Sequence, residues 1–235
     1  MTQGYFLVAD ILGFGEIISN LEIEEQVEKI NDWQELIRAL TQKYQLVRFQ
    51  LISDTLFIGI FDDVNELENL IDFCKELLSR AIVKSIPIRG AISKGEYIWG
   101  EHLVYGKAVI AAHKHEMNQN WIGISFFPEF EGIESLWGKL VCYQIPTKSG
   151  QNQMGAVIRW DIPSLDDLGR YLVEGGLTGE HSKIDQKWIS RLEQTIMFSL
   201  YLKIIDNSAH EVSEFHGLGT PVHIIEQALL TSGCI

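Results

Sequence analysis

Apolar positions along the chain change period several times, and each change predicts an element. Tyr5-Phe6-Leu7-Val8-Ala9 is an unbroken apolar run closed by Asp10 and followed by Gly13 and Gly15, the pattern of a buried strand entering a turn. Phe14, Ile17, Ile18 and Leu21, continued in an acidic stretch by Trp33, Leu36, Ile37 and Leu40, keep the spacing of a helix with one apolar face. Between residues 45 and 61 two β-rich runs are separated by the polar pair Ser53-Asp54, which predicts a hairpin. Leu67, Leu70, Ile71, Cys74, Leu77, Leu78, Ala81 and Ile82 form an i, i+3, i+4 stripe, hence a second long helix, and Pro87 helps to end it. Residues 86–92 predict the next strand, with Lys94-Gly95-Glu96 as its turn. Residues 108–112 open a third helix, and residues 121–127 and 140–145 read as later strands.

The resulting order, β-α-β-β-α-β-α-β, is that of an α+β sheet with helices packed on it, close to a ferredoxin-like βαββαβ plan. After Trp160 the texture changes. Ile184, Trp188, Leu192, Thr195, Ile196, Ser199 and Leu200 fall on one face of a long helix, able to pack on the sheet or on another subunit. The expected organisation is therefore a core domain over residues 1–160 and a C-terminal helical extension over residues 161–235, with no internal repeat.

Composition narrows the function classes. With 235 residues, 46% of them hydrophobic, the chain can bury a sizeable core and is not intrinsically disordered. A net charge of -13 repels a phosphate backbone over most of the surface, which argues against general nucleic-acid binding. No apolar run approaches the roughly 20 residues of a membrane span, and no basic segment precedes the first apolar stretch, so a cytoplasmic location is expected. Cys74, Cys142 and Cys234 are odd in number and far apart; the first two read as small core residues and the third as part of a tail.

The candidate chemistry begins with two aspartates. Asp10 and Asp54 each follow a strand-like run at a turn. If the first strand lies beside the hairpin, both carboxylates reach one edge of the sheet and can hold hard divalent cations between them. Taken singly, each is more often simply an aspartate at a strand end or turn, where that residue type is common. Asp10 also precedes a glycine and a helix start, whose N–H groups could receive a triphosphate.

A third segment, Arg89-Gly90-Ala91-Ile92-Ser93-Lys94-Gly95, precedes Tyr105-Gly106-Lys107 and a helix carrying His113-Lys114-His115-Glu116. With Asp10-Ile11-Leu12-Gly13-Phe14 and Ser53-Asp54, these elements stand in the order found in the class III nucleotidyl cyclase catalytic domain, which residues 5–120 resemble. The resemblance implies a role for each matching position. Asp10 and Asp54 would bind two divalent ions, Mn²⁺ or Mg²⁺, with the Ile11 carbonyl as a further ligand. The Leu12, Gly13 and Phe14 backbone would wrap the phosphates, and Arg89 would contact the triphosphate. In that family a ribose 3′-hydroxyl attacks the α-phosphate and pyrophosphate leaves, at centres formed between two subunits, so a homodimer is implied.

Departures from the family pattern point further. Where purine cyclases carry an Asn and, four residues on, an Arg, this chain has Ile110 and Lys114; a lysine can stabilise the transferring phosphate as a point charge without the arginine fork. His113 and His115, two apart on a helix, face different ways and make no joint metal site. At the base-reading positions stand Gln50 and, with the register open by one or two, Leu103 or His102, matching neither the adenine nor the guanine pattern. Gln50 offers a donor and an acceptor, suited to uracil or, after an amide flip, cytosine. A short chain with this pocket resembles the pyrimidine cyclases of bacterial antiphage signalling, the Pycsar system. That resemblance implies UTP as the favoured nucleoside triphosphate, cyclic UMP as product and a separate cyclic-nucleotide effector; CTP and purines remain alternatives. Lys139 and Lys148 flank the strand at 140–145, and one of them could reach a phosphate or base across the dimer. Trp99, Trp121 and Trp137 read as core or interface. The absent Asn also leaves open a catalytically silent relative that binds a nucleotide or a protein.

Overall fold

A computed structural model describes residues 1–19, 21–127, 134–162 and 186–213. Eight strands form one sheet: β1 (Thr2–Ile11), β2 (Phe49–Ile52), β3 (Thr55–Phe61), β4 (Ile88–Trp99), β5 (Val104–Gly106), β6 (Gly123–Phe126), β7 (Leu140–Ile145) and β8 (Gln153–Ile158). Their lateral order is β2-β3-β1-β4-β6-β8-β7, with β5 hairpinned onto β4. All described pairings are antiparallel except β4 with β6. The helices are α1 (Phe14–Ser19), α2 (Ile23–Lys43), α3 (Val64–Val83), α4 (Lys107–Asn118) and α5 (Gln186–Ser213). This is the expected α+β class with helices on the sheet.

Side chains alternate across β1 and separate two cores. Tyr5, Leu7, Ala9 and Ile11 join the large core with Trp33, Leu36 and Ile37 of α2 and the apolar stripe of α3. Phe6 and Val8 point to the other face, into a smaller core with Tyr97 and with Ala108 and Ala112 of α4. Burying one such large apolar side chain contributes roughly 1.5–3 kcal/mol, so the α2–α3 side carries most of the packing energy. The α3 stripe is buried as expected, and Asp63 starts that helix by accepting from the Asn65 and Glu66 amides at 2.9 and 3.0 Å.

Several expectations need correcting. The helical signal after β1 is two helices, a six-residue α1 and then α2, whose start is fixed by the Glu22 amide donating to Glu25 Oε2 at 3.0 Å. Lys94-Gly95-Glu96 is no turn: β4 runs straight through it and reverses only beyond Trp99. Gly95 has φ +154°, and a Cβ there would lie 3.4 Å from the Ala108 amide, so the glycine serves the approach of α4. β8 was not expected at all, because its first residues, Gln153 and Met154, are both exposed and show no alternation.

On α5 the buried residues are Arg191, Thr195, Phe198, Ser199, Leu202 and Ile205, whereas Leu200 is exposed. Thr195 and Ser199 of the expected face are thus buried, and Leu192 and Ile196 pack against the core. Among the described side chains only Leu200 of that face is exposed, while Arg191, Phe198, Leu202 and Ile205 widen it; Ile184 lies outside the described residues. Phe198 meets the rings of Trp121 and Tyr143, both at 4.9 Å, and the Ile122 amide donates to Thr195 Oγ at 3.2 Å, so α5 packs on this chain's own sheet. Cys74 is a core residue, Cys142 only half-buried, and Cys234 lies outside the described residues.

Candidate active site

The sheet register assembles the site before any side chain is considered. Ala9 pairs with Leu56 across β1 and β3, so the next residue, Asp10, ends beside the hairpin turn of Ser53 and Asp54. On the other side Asp10 pairs with Arg89 of β4, and Arg89 pairs in turn with Gly123 of β6. Asp10 follows Phe6 and Val8 on the alternation of β1, which directs it to the face that α4 covers.

Arg89 is the hub. Its side chain is buried, with Nη2 3.0 Å from Asp10 Oδ2 and 2.5 Å from Glu116 Oε1, and Nη1 donates to the Gln119 carbonyl at 3.2 Å. Glu116 is 1% exposed, on the α4 turn that faces the sheet. Gln119 completes the frame: its Nε2 donates to the Gly90 carbonyl at 3.0 Å and its Oε1 accepts from Trp121 Nε1 at 3.0 Å. The arginine thus spans two carboxylates that would otherwise repel each other in a poorly solvated place.

The electrostatics follow from that crowding. Burial and the neighbouring Asp10 charge hold the Glu116 carboxyl above its ordinary range despite the pull of Arg89. Burial likewise raises Asp54; hydrogen bonds from its own backbone and Ser53 oppose the shift, the Asp10 charge adds to it and Arg89 subtracts. Lys148 is lowered by burial and by the Arg89 charge, while Glu116 and Asp10 pull it the other way, which puts this lysine within electrostatic reach of the cluster. Its amide donates to the Asn118 carbonyl at 2.8 Å, anchoring the loop at the end of α4.

Two carboxylates suit a hard divalent cation. Asp10 Oδ2 is held by Arg89, while Oδ1 is buried with no hydrogen-bond partner, an orphaned acceptor that a cation would satisfy. Asp54 feels the Asp10 charge and stands half-buried at the adjoining turn. Among the described residues no group of three or more His, Cys, Asp or Glu could hold a metal alone, so further donors would be backbone, water or substrate oxygens. These residues fit a metal shared with a polyphosphate.

The other expected residues fall into two sets. Gly13 adopts φ +79° in the turn between β1 and α1, but Leu12 is buried and its amide already donates to the Pro87 carbonyl at 2.8 Å, leaving the Gly13–Phe14 end of the turn for a phosphate. The partner strand of Ile11 is β4, opposite Ile88. Gln50 is exposed on β2 opposite Phe57, whose side chain joins the Phe6 and Val8 face, so Gln50 shares the face of Asp10.

Leu103 and His102 stand exposed in the β4–β5 hairpin, away from the Arg89 cluster. Lys114 is exposed on α4 with no ion pair among the described residues, and Ile110, one turn earlier, is 70% exposed. His115 stacks on the Phe127 ring at 3.6 Å, whereas His113 Nδ1 lies 3.5 Å from Glu116 Oε2. Lys139 is engaged by Glu68 at 2.9 Å and Asp72 at 2.6 Å, both on α3. Glu116 and Gln119 carried no sequence expectation. The available signal was Ala108, Ala112 and Glu116 at intervals of four, a single helix stripe ending in a charge.

No family model matches the chain, and no curated protein matches it. Solved structures do share its architecture. The guanylyl cyclase domain of the RhoGC fusion protein from the aquatic fungus Blastocladiella emersonii superimposes with a TM-score of 0.53 at 15% identity, over 67% of this chain and 94% of that one. The catalytic core of a rhodopsin-guanylyl cyclase with converted specificity, in complex with ATPαS, gives 0.51 at 15% identity over 68% and 96%. A Trypanosoma brucei adenylate cyclase in its monomeric state gives 0.51 at 9% identity over 67% and 87%. The chain has the fold of the adenylyl and guanylyl cyclase catalytic domains.

Proposed function

We propose that the protein is a nucleotide cyclase that converts UTP to 3′,5′-cyclic UMP and pyrophosphate, acting as a second-messenger synthase in antiphage defence. The observation that carries the cyclase part is Asp10: in a cyclase fold, its buried, unpartnered oxygen lies where β1 meets the Asp54 turn, on the residue paired directly with Arg89. Bound divalent ions, Mn²⁺ or Mg²⁺, would draw charge from the triphosphate and acidify the ribose 3′-hydroxyl. The chain's residues do the rest. Asp10 and Asp54 hold the cations, with the Ile11 carbonyl beside them, and the Gly13–Phe14 turn receives the polyphosphate. The 3′-oxygen forms its bond to the α-phosphorus, the bond to the β-phosphate bridge breaks, pyrophosphate leaves, and the hydroxyl proton passes to solvent.

Uracil as the base rests on Gln50, whose amide presents a donor and an acceptor on the face of Asp10, and on the absence of the purine-reading residues. Lys114 is exposed and makes no ion pair among the described residues, which supports a homodimer in which it acts on the partner's nucleotide. Incubating purified protein and Mn²⁺ with each of the four nucleoside triphosphates, followed by mass-spectrometric identification of the product, tests the proposal. Cyclic UMP from UTP is expected; cyclic CMP or a cyclic purine nucleotide would change the base assignment. One observation favours a second reading, a silent nucleotide-binding relative: Ile110, where active purine cyclases place an Asn, is a bare apolar side chain in solvent. Such a protein releases no pyrophosphate from any of the four.

A further inference from the structure

The face of the sheet opposite the Asp10 carboxylate carries a cavity of about 370 Å³ that the cyclase reading leaves unused. It lies between α2 and the β2–β3 hairpin. Phe49 and Leu51 alternate with Gln50 along β2, so they point away from the metal side, and with Phe14 they wall the cavity. That volume and those apolar walls are the features of a small-molecule site. The polar side chains lining it are Gln34 and Arg38, one turn apart on α2, and Ser53 of the hairpin turn. Arg38 makes no ion pair among the described residues, although the chain carries 32 acidic side chains. An unpaired arginine at an apolar cavity matches a carboxylate on an apolar body, the planar guanidinium fork taking both oxygens.

Two of the lining residues belong to the turns that carry the aspartates. Phe14 ends the turn after Asp10, and the Ser53 hydroxyl donates to the Asp54 carboxylate. Ser53 also holds φ +57°, a conformation that a residue other than glycine keeps only where its surroundings impose it. Resting on the cyclase reading for the metal, we propose that this cavity binds a small apolar carboxylate, which pairs with Arg38 and braces both aspartate-bearing turns from behind. The direction of its effect follows from charge and packing. The bound anion offsets the Arg38 charge, which otherwise repels a cation at Asp54, one residue beyond Ser53. Contact with Phe14 and Ser53 holds the two turns in one arrangement. Carboxylate and metal therefore tighten each other's binding, by the same factor in both directions.

Octanoate serves as the probe, with 1-octanol as its uncharged counterpart and acetate as the charge without the body. Calorimetric titration of the full chain is expected to show octanoate binding about tenfold tighter than either, the scale of a charge-assisted pair. Arg38→Gln is expected to weaken octanoate about tenfold and to leave octanol unchanged. Phe49→Glu, which puts a carboxylate into the apolar wall, is expected to remove octanoate binding. Saturating octanoate is expected to tighten Mn²⁺ binding about fivefold, read from free Mn²⁺ by electron paramagnetic resonance, and saturating Mn²⁺ to tighten octanoate equally. Octanoate binding no tighter than octanol, undiminished affinity in Arg38→Gln, or a Mn²⁺ affinity indifferent to octanoate each overturns the proposal. Pyrophosphate release with the four triphosphates judges the cyclase reading separately. A silent relative releases none and still couples octanoate to Mn²⁺, whereas an active cyclase that ignores octanoate keeps that reading and loses this inference.

Discussion

A carboxylate raised above its ordinary pKa is one the fold would prefer uncharged, and this separates function from stability at Asp54. Burial and the Asp10 charge raise it, so its folded state binds a proton more readily than the unfolded chain and loses stability as pH rises through that range. Asp54→Ala is therefore expected to abolish cyclisation while leaving the melting temperature at pH 7 unchanged or slightly higher; calorimetry together with a pyrophosphate assay checks both halves. Turnover at the wild-type rate in that variant would refute the metal assignment. Gln50→Ala is expected to narrow the ratio of kcat/KM between UTP and the other triphosphates by about tenfold or more, while inhibition by inorganic triphosphate stays the same. At this scale the sequence discloses residues whose chemistry suits a turn or strand end, such as Asp10 and Asp54. It conceals Glu116, because a glutamate in the run His113-Lys114-His115-Glu116 looks solvated until the sheet fixes which way α4 faces.

Elements were readable wherever one physical cause dominated. The α3 stripe and the Ser53-Asp54 reversal each follow from a single pattern, and both lie where the periodicity puts them. Gly95 misled because glycine has two uses; it relieves crowding against Ala108, which no local pattern distinguishes from a turn. β8 gave no signal because its first half is solvent-exposed and its pairing with β7 is non-local. Two stability measurements belong at this scale. Asp63→Ala removes the oxygen that accepts from two amides at the start of α3 and is expected to cost about 1 kcal/mol in denaturant unfolding. Glu76 ties α3 to α2: Tyr44 donates to it at 2.6 Å and Arg80 lies 2.5 Å away, with Lys43 as a third partner. Partial burial works to raise its pKa, but the Lys43 and Tyr44 hydrogen bonds and the Arg80 charge prevail and lower it below the ordinary 4.5. Its contribution is thus present above pH 4.5 and lost as pH falls through the lower folded value. Glu76→Gln is expected to lower the melting temperature at pH 7 and to leave it unchanged near pH 2.

Taken as one body, the molecule divides its chemistry between two surfaces. Asp10, Asp54, Arg89 and Glu116 gather where β1, the hairpin and β4 meet α4, whereas Lys114 sits exposed on α4 outside the ion pairs of that cluster. On the proposed reading, in which the chain holds the metal-binding half of a site and displays the transition-state half, the site is complete only when two copies exchange them across a two-fold axis. Mixing two inactive variants tests that arrangement. Asp54→Ala disables the cation half and Lys114→Ala the displayed half, and each homodimer then carries two defective sites. In a heterodimer one site collects both defects and the other collects neither. Random exchange at equal concentrations makes about half of the dimers mixed, with one working site of two, so the mixture is expected to recover about one quarter of wild-type turnover. Sedimentation at the assay concentration should find a dimer. A mixture no more active than its parents, or full activity in Lys114→Ala alone, places the whole reaction within a single chain and removes the reason for the dimer.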